Sequence, residues 1–133
     1  MTSLDELASY VKDHPGACVR YSKGPEHDRD RTSIDYESGL ELPGLSANPL
    51  GPDTWWTRDI RDWLARQICH YVHLQDETDD RRPWVLFGGV AGFGPDREPL
   101  LNPWEPVAWL SDDLVDEARR RYEENFEQGN DST

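Results

Sequence analysis

The sequence predicts a single α+β domain, in which a small mixed or antiparallel sheet is packed by about three helices. Helical patterns lie at the start, middle and end of the 133 residues, and short strand patterns lie between them. This order differs from the regular alternation of a doubly wound sheet. The length fits one domain with its own core. We expect the domain to cover residues 1–128 and residues 129–133 to form a frayed tail.

The first helix is predicted over residues 4–13. Ser3 and Glu6 have the spacing of a capping box, and apolar residues recur on one helical face. A Pro-Gly pair ends this helix, and residues 17–21 are predicted to form a short strand. Residues 22–33 are mostly charged, so we expect a surface loop that buries little.

The central helix is predicted from Thr57 to about Leu74. It follows weak strand patterns in residues 34–48, one of them around Leu45-Ser46-Ala47. Its broad apolar stripe at helical spacing consists of Ile60, Trp63, Leu64, Ile68, Tyr71 and Val72. The Trp55-Trp56 pair before it admits two interpretations. Either the indoles staple onto the helix, or at least one is exposed or covers a pocket.

The last third of the chain predicts two strands and a helix. Trp84–Phe87 is a continuous apolar run, typical of a central strand. The glycine-rich residues 88–94 favour a bent or bulged continuation, and Val107–Leu110 is a further strand candidate. Ser111 is the expected cap of a helix that ends at Gly129. The expected buried face of that helix is Leu114, Val115, Ala118, Tyr122 and Phe126.

The charge of the chain excludes two classes of partner. Asp and Glu number 27 against 14 Lys and Arg, a net charge of -13. Such a charge opposes binding to phosphate backbones and to anionic membrane surfaces. The sequence also contains no apolar run long enough to span a membrane and no export signal. We therefore expect a cytoplasmic protein that binds neither nucleic acid nor membrane.

The cysteines and histidines predict neither a disulfide framework nor a metal site. Cys18 and Cys69 are the two cysteines, a number typical of free thiols in a reducing compartment. His70 and His73 are three residues apart on the central helix, beside Cys69, but no third ligand accompanies them. We expect them to be partly exposed histidines without a metal.

A candidate binding feature lies on the first strand. Arg20 and Ser22 are two residues apart, so their side chains leave the same face. A cation beside a hydroxyl suits a phosphate or a ribose at a sheet edge. The alternative is an arginine that only pairs with a surface carboxylate. Spacing alone leaves both interpretations open.

The whole chain resembles a family of small uncharacterised actinobacterial proteins. The segments that carry this resemblance are Val19-Arg20-Tyr21-Ser22 with Gly24-Pro25, Glu41-Leu42-Pro43-Gly44-Leu45-Ser46, Trp55-Trp56, and Gly94-Pro95-Asp96 with Glu98-Pro99-Leu100. The excess of arginine, 12 against 2 lysines, fits a GC-rich genome. The resemblance implies an origin and no activity.

A second resemblance is to the ADP-ribosyltransferase fold. The segment around Arg20 is similar to the first-strand arginine segment of toxin members, Leu45-Ser46-Ala47 is similar to their Ser-Thr-Ser strand, and Asp96-Arg97-Glu98 resembles the loop with the catalytic glutamate. The three parts occur in the family's order. The chain departs from the pattern at Ala47-Asn48 and at Asp96, where arginine-modifying members carry another glutamate.

This second resemblance implies an NAD site. Glu98 would be the catalytic carboxylate that stabilises the oxocarbenium-like ribose, and Ser46 would support it. Arg20, with Ser22 beside it, would hold the pyrophosphate or the adenosine ribose. Tyr21 or a nearby Trp would stack on nicotinamide.

The sequence thus leaves two hypotheses from different classes. One is an NAD-binding protein, catalytic or not, that uses Arg20, Ser46 and Glu98. The other is a non-enzymatic acidic module that regulates or inhibits a basic protein partner. Residues 111–133 hold eight acidic residues and three arginines, which fits the second hypothesis, although a solvated helix face accounts for them equally well. Convergence of the three named residues in one cleft would favour the first.

Overall fold

The computed structural model describes residues 1–29, 31–35, 37–70 and 80–127. Within these ranges it confirms the predicted α+β class, with an antiparallel sheet and four helices. The elements, in chain order, are α1 Leu4–Asp13, β1 Cys18–Ser22, α2 Pro25–Asp28, β2 Leu45–Ser46, β3 Asn48–Pro49, α3 Ile60–His70, β4 Arg82–Phe93, β5 Pro99–Trp109, α4 Asp112–Tyr122, and a π-helical turn Glu123–Glu127.

The five strands form one sheet in the order β2-β5-β4-β1-β3, and all neighbouring pairs are antiparallel. The predicted central position of Trp84–Phe87 is confirmed, because β4 lies in the middle. The glycine-rich segment continues β4, as predicted, with register shifts between Val85 and Gly92. A Cβ at Gly88 would collide with the backbone carbonyl of Pro103, so this close approach of β4 and β5 requires glycine.

Three helices cover one face of the sheet. This face is called the helix face here. Its buried core is Leu4, Leu7, Ala8, Val11, Ala17, Val19, Leu50, Trp63, Leu64, Ala65, Ile68, Val85, Leu110, Leu114, Val115 and Ala118. Both predicted caps are present: Ser3 Oγ accepts from Glu6 N at 3.1 Å, and Ser111 Oγ accepts from Leu114 N at 3.2 Å.

The opposite face, called the cleft face, has a smaller apolar cluster. Its buried members are Cys18, Leu45, Ala47, Trp84, Leu86 and Leu101, with Trp104 packed against them. The segment between β1 and β2 contacts this face. Residues 22–33 were expected to form a surface loop that buries little, but they contain the short helix α2 and bury Ser22, Gly24 and Asp28. Asp28 in α2 is buried, since partners on β1 satisfy its carboxylate.

Several predicted boundaries differ from the structure. The central helix begins at Ile60 rather than Thr57, and its predicted end at Leu74 lies outside the described residues, as do Gly129 and the tail 129–133. β4 and β5 extend well beyond the predicted strands because their antiparallel pairing continues through glycines and prolines. Of the predicted strand Val107–Leu110, the first three residues form the end of this longer strand and Leu110 lies just beyond it.

The two tryptophans before α3 differ, and each fits one of the two interpretations of the sequence. Trp56 packs on Trp63 with ring centroids 5.1 Å apart, as a staple would, whereas Trp55 is 63% exposed. Arg58 and Arg66 lie over the Trp56 ring at 5.5 and 5.0 Å. Among the described residues, no helix is both long and apolar enough for a membrane span.

Candidate functional site

A buried polar network connects β1 to α2 on the cleft face. Arg20 Nε donates to Asp28 Oδ2 at 2.8 Å, and Ser22 Oγ donates to the same oxygen at 2.5 Å. Ser22 Oγ in turn accepts from Trp84 Nε1 at 2.9 Å and from Gly24 N at 3.1 Å. Alternation along β1 brings Arg20 and Ser22 to one face, as predicted. Their shared partner is a carboxylate that sequence spacing did not identify.

The network keeps Asp28 ionised although it is only 3% exposed. Burial of the carboxyl raises its pKa, but the charge of Arg20 and hydrogen bonds from Ser22, Arg20 and His27 outweigh that effect. The pKa of Asp28 therefore lies below its ordinary value. A charged carboxylate in this position holds the Arg20 guanidinium in one orientation.

Arg20 also reaches β2, where Nη1 donates to the backbone carbonyl of Ser46 at 2.8 Å. The Arg20 side chain is 22% exposed. Within the described part of the chain, no hydrogen bond engages its Nη2 group. This arginine thus combines the two interpretations of the sequence: it pairs with a carboxylate, and it keeps donors for a ligand.

His27 and Asp28 form a hydrogen-bonded pair in α2. His27 Nδ1 lies 3.2 Å from Asp28 Oδ1. With the proton on Nδ1, this contact leaves Nε2 as the acceptor nitrogen of the ring. The His27 side chain is 39% exposed and lines the cleft described below. The sequence analysis missed this pair, and the signal that could have found it was the His-Asp dipeptide within the charged loop.

Glu98 lies in the turn that connects β4 to β5. Gly94 N donates to the Glu98 carbonyl at 2.9 Å, and Asp96 N donates to Glu98 Oε2 at 3.0 Å. Arg97, between the two acids, has a φ of 63°, the left-handed conformation of a tight turn. A Cβ at Gly94 would collide with the Glu98 carboxylate, so the missing side chain makes room for it.

The cleft face carries a two-lobed cleft, called the main cleft here. One lobe has a volume of about 560 Å³ and the other about 360 Å³. The residues that line both lobes are Arg20, Tyr21, Ser46, Asp96 and Glu98. The residues quoted for the second resemblance, which come from three separate segments, therefore line one cleft. Both volumes fall in the usual range of ligand pockets.

Two of the predicted binding residues have their side chains engaged elsewhere. Tyr21 borders the cleft, but its side chain belongs to the helix face: it is 6% exposed and its hydroxyl donates to the Ile68 carbonyl at 3.0 Å. Ser22 is 7% exposed, and its hydroxyl is engaged by Asp28, Trp84 and Gly24. The geometry therefore suits Ser22 to positioning Asp28 and gives the Tyr21 ring no open face for stacking.

The Cys18 thiol is a poor candidate for a nucleophile. Burial raises the pKa of the Cys18 thiol to about 11, which keeps it protonated at neutral pH. Cys18 and Cys69 are not joined in a disulfide. His73 lies outside the described residues, and within them no group of three or more His, Cys, Asp or Glu side chains could hold a metal ion.

The fold and the cleft define a class: an α+β protein with a five-stranded antiparallel sheet, helices on one face and a polar cleft on the other. The chain belongs to DUF6098, a family of unknown function whose model matches residues 1–132. This confirms the prediction of an uncharacterised family. No curated protein and no solved structure matches the chain significantly.

Proposed function

We propose that the main cleft binds NAD and that the protein hydrolyses its nicotinamide bond in the manner of ADP-ribosyltransferase-like enzymes. One observation carries the proposal: Arg20, Ser46 and Glu98 line both lobes of one cleft. Two connected lobes suit a ligand with two halves. The wall they share carries both a cation and a carboxylate, the groups that a pyrophosphate and a reacting ribose need.

In the proposed reaction Glu98 faces the nicotinamide ribose. The C1′–N bond breaks, its electron pair stays on the nicotinamide nitrogen, and positive charge develops on the ribose. The Glu98 carboxylate stabilises that charge, and Arg20 holds the pyrophosphate through the donors that Asp28 leaves unused. Ser46 lies in the same wall and supports Glu98.

Water completes the reaction by bonding to C1′. His27 Nε2 takes the water proton, because Asp28 holds the opposite ring nitrogen and stabilises the imidazolium that forms. The products are ADP-ribose and nicotinamide, and His27 returns its proton to solvent. In this mechanism Ser22 acts as a positioning residue through its bond to Asp28.

The net charge of -13 is compatible with one NAD molecule. The larger lobe is lined by the cations Arg20, Lys23, Arg31 and Arg81, which offset its carboxylates, Asp28, Asp35, Glu37, Asp96 and Glu98. At physiological salt the field of distant exposed acids is screened within about 8 Å. The charges that line the cleft therefore matter more than the net charge for the affinity for a single dinucleotide.

The test is nicotinamide release by the full chain, with Glu98→Gln as the principal variant. The amide keeps the shape of the carboxylate and loses its charge, so release is abolished while NAD still raises the thermal midpoint. Glu124→Gln, on an exposed residue of the C-terminal π-helical turn, is the matched control and releases nicotinamide like the unaltered chain. Absence of release and of a thermal shift in the unaltered chain would remove the proposal.

A second candidate is the acidic module, favoured by exposed carboxylates at the start of α4. Asp112, Asp113 and Asp116 are all exposed there. We propose that this surface attracts a basic protein partner in the cytoplasm. A lysine-rich peptide should bind at low salt and lose most of its affinity at high salt, and Asp113→Asn with Asp116→Asn should weaken it. An affinity unchanged by the double substitution would exclude this surface.

A further inference from the structure

A third cavity of about 700 Å³ adjoins the main cleft on the same face of the sheet. Arg31 and Thr32 line both spaces, so the cavity continues the groove beyond the larger lobe. Its remaining walls come from Arg29, from Gly44 and from the β5 segment 101–106. None of the sequence patterns drew attention to it, because its walls come from three separate segments.

Trp104 provides an aromatic surface in this cavity. The ring is half-buried and packs on Trp84, with centroids 5.3 Å apart and an interplanar angle of 56°. Trp84 is itself fixed, because its Nε1 donates to Ser22 Oγ at 2.9 Å. The polar network of the main cleft therefore also positions the indole of the next cavity, and a positioned aromatic ring binds a planar ligand with little loss of entropy.

The cavity is also lined by two arginines. Arg29 and Arg31 are both exposed, and neither forms an ion pair within the described residues. Other arginines of this acidic chain do pair with carboxylates: Arg20, Arg58, Arg61, Arg82 and Arg121. Glu105 is the one acidic residue among the described residues that line the cavity. Two arginines against one carboxylate favour an anionic ligand.

We propose that this cavity binds a nucleoside monophosphate group, with the base stacked on Trp104 and the phosphate held by Arg29 and Arg31. Both parts of the ligand are needed to account for the lining residues: the indole suits a planar ring, and the guanidinium groups suit phosphate oxygens. The inference goes beyond the proposed function, because the two lobes of the main cleft take NAD and this cavity takes a separate nucleotide. Binding of the isolated nucleotide is independent of any cleavage.

The experiment is calorimetry of the full chain with AMP, adenosine and ribose 5-phosphate as probes. AMP should bind more tightly than either fragment. Trp104→Ala should weaken AMP about tenfold and leave ribose 5-phosphate unchanged, because base stacking is lost and the phosphate contact remains. Arg29→Gln with Arg31→Gln should weaken both phosphate-bearing probes and leave adenosine unchanged. Trp55→Ala, an exposed tryptophan that packs on α3, is the matched control.

Trp104→Phe keeps an aromatic ring and serves as the second variant if Trp104→Ala does not fold. It should retain most of the AMP affinity. Equal AMP affinity in the unaltered chain and in folded Trp104→Ala overturns the proposal, and so does absence of AMP binding to the unaltered chain. AMP binding that depends on Trp104, without nicotinamide release from NAD, supports this site and removes only the proposed hydrolysis.

Discussion

The two faces of the sheet use the same strands in different ways. Along β1, Val19 lies in the helix-face core and the Tyr21 hydroxyl donates to the Ile68 carbonyl of α3. Arg20 and Ser22 bind Asp28 on the cleft face. The helix face is stabilised by apolar burial spread over many side chains, so no single polar contact is essential to it. The cleft face depends on one carboxylate that several donors share, and its geometry is correspondingly easier to disrupt.

The largest loss of stability is expected on the helix face, at Leu64. This side chain of α3 is fully buried in the main core. Leu64→Ala should lower the free energy of unfolding by about 4 kcal/mol, because it removes apolar contacts and leaves a cavity. Denaturant unfolding measures the loss. Nucleotide affinity of the folded variant should match that of the unaltered chain, and a changed affinity would show that the two faces are not independent.

Removal of the Asp28 charge should have the next largest effect. Asp28→Asn should lower the free energy of unfolding by about 3 kcal/mol, because it breaks a buried ion pair and weakens the bonds to Arg20 and Ser22. Unlike Leu64→Ala, it should also weaken ligand binding, since Arg20 loses its orientation. Unfolding and calorimetry on the same sample separate the two effects. Unchanged binding would contradict the role assigned to the network.

Acid titration tests the same carboxylate, and the direction of its effect on the free energy of unfolding follows from its lowered pKa. The pKa of Asp28 is lower in the folded chain than in the unfolded chain. Its contribution to stability is therefore complete above the unfolded value of about 3.9 and is lost as the pH falls through the lower folded value. The difference in stability between the unaltered chain and Asp28→Asn should shrink over that range. A difference that stays constant would show that Asp28 is not the group that titrates.

Tyr21 tests the difference between the two faces directly, because it lies between two residues of the cleft face and bonds to the helix face. Its hydroxyl donates to the Ile68 carbonyl on the helix face, although its neighbours Arg20 and Ser22 belong to the cleft face. Tyr21→Phe should lower the free energy of unfolding by about 1 kcal/mol, the usual loss for a buried hydrogen bond. NAD affinity should not change. A marked loss of affinity would restore the stacking role that the second resemblance implies.

The difference between the faces also accounts for what the sequence could predict. Caps and helical stripes depend on residues three or four apart, so Ser3, Ser111 and the buried face of α1 followed from local spacing. The burial of Asp28 could not be predicted from local spacing, because a charged loop normally faces water. In this protein the loop supplies a buried carboxylate to β1. The cavity beside Trp104 could not be predicted, because its walls come from three segments that no sequence pattern links, whereas the resemblance had already grouped Arg20, Ser46 and Glu98 of the main cleft.

The smallest change in stability, with a large change in function, is expected at Gly94. Its backbone φ is not in the left-handed region, so alanine is tolerated by the backbone, but the new Cβ would collide with the Glu98 carboxylate. That side chain can move away, so Gly94→Ala should lower the free energy of unfolding by only about 0.5 kcal/mol. Displacement of Glu98 by about 1 Å should reduce nicotinamide release about 100-fold.

Gly92→Ala is the matched control for this substitution. A Cβ at Gly92 would meet only Pro43 Cγ at 3.4 Å, an ordinary contact, so this variant should release nicotinamide at the rate of the unaltered chain. The free energy of unfolding and the rate of nicotinamide release should be measured side by side for Gly94→Ala and Gly92→Ala. If Gly94→Ala releases nicotinamide as fast as Gly92→Ala, the Glu98 carboxylate does not act from its observed position. If Gly94→Ala instead loses several kcal/mol of stability, the turn is rigid and Glu98 holds the hairpin together rather than facing a ligand.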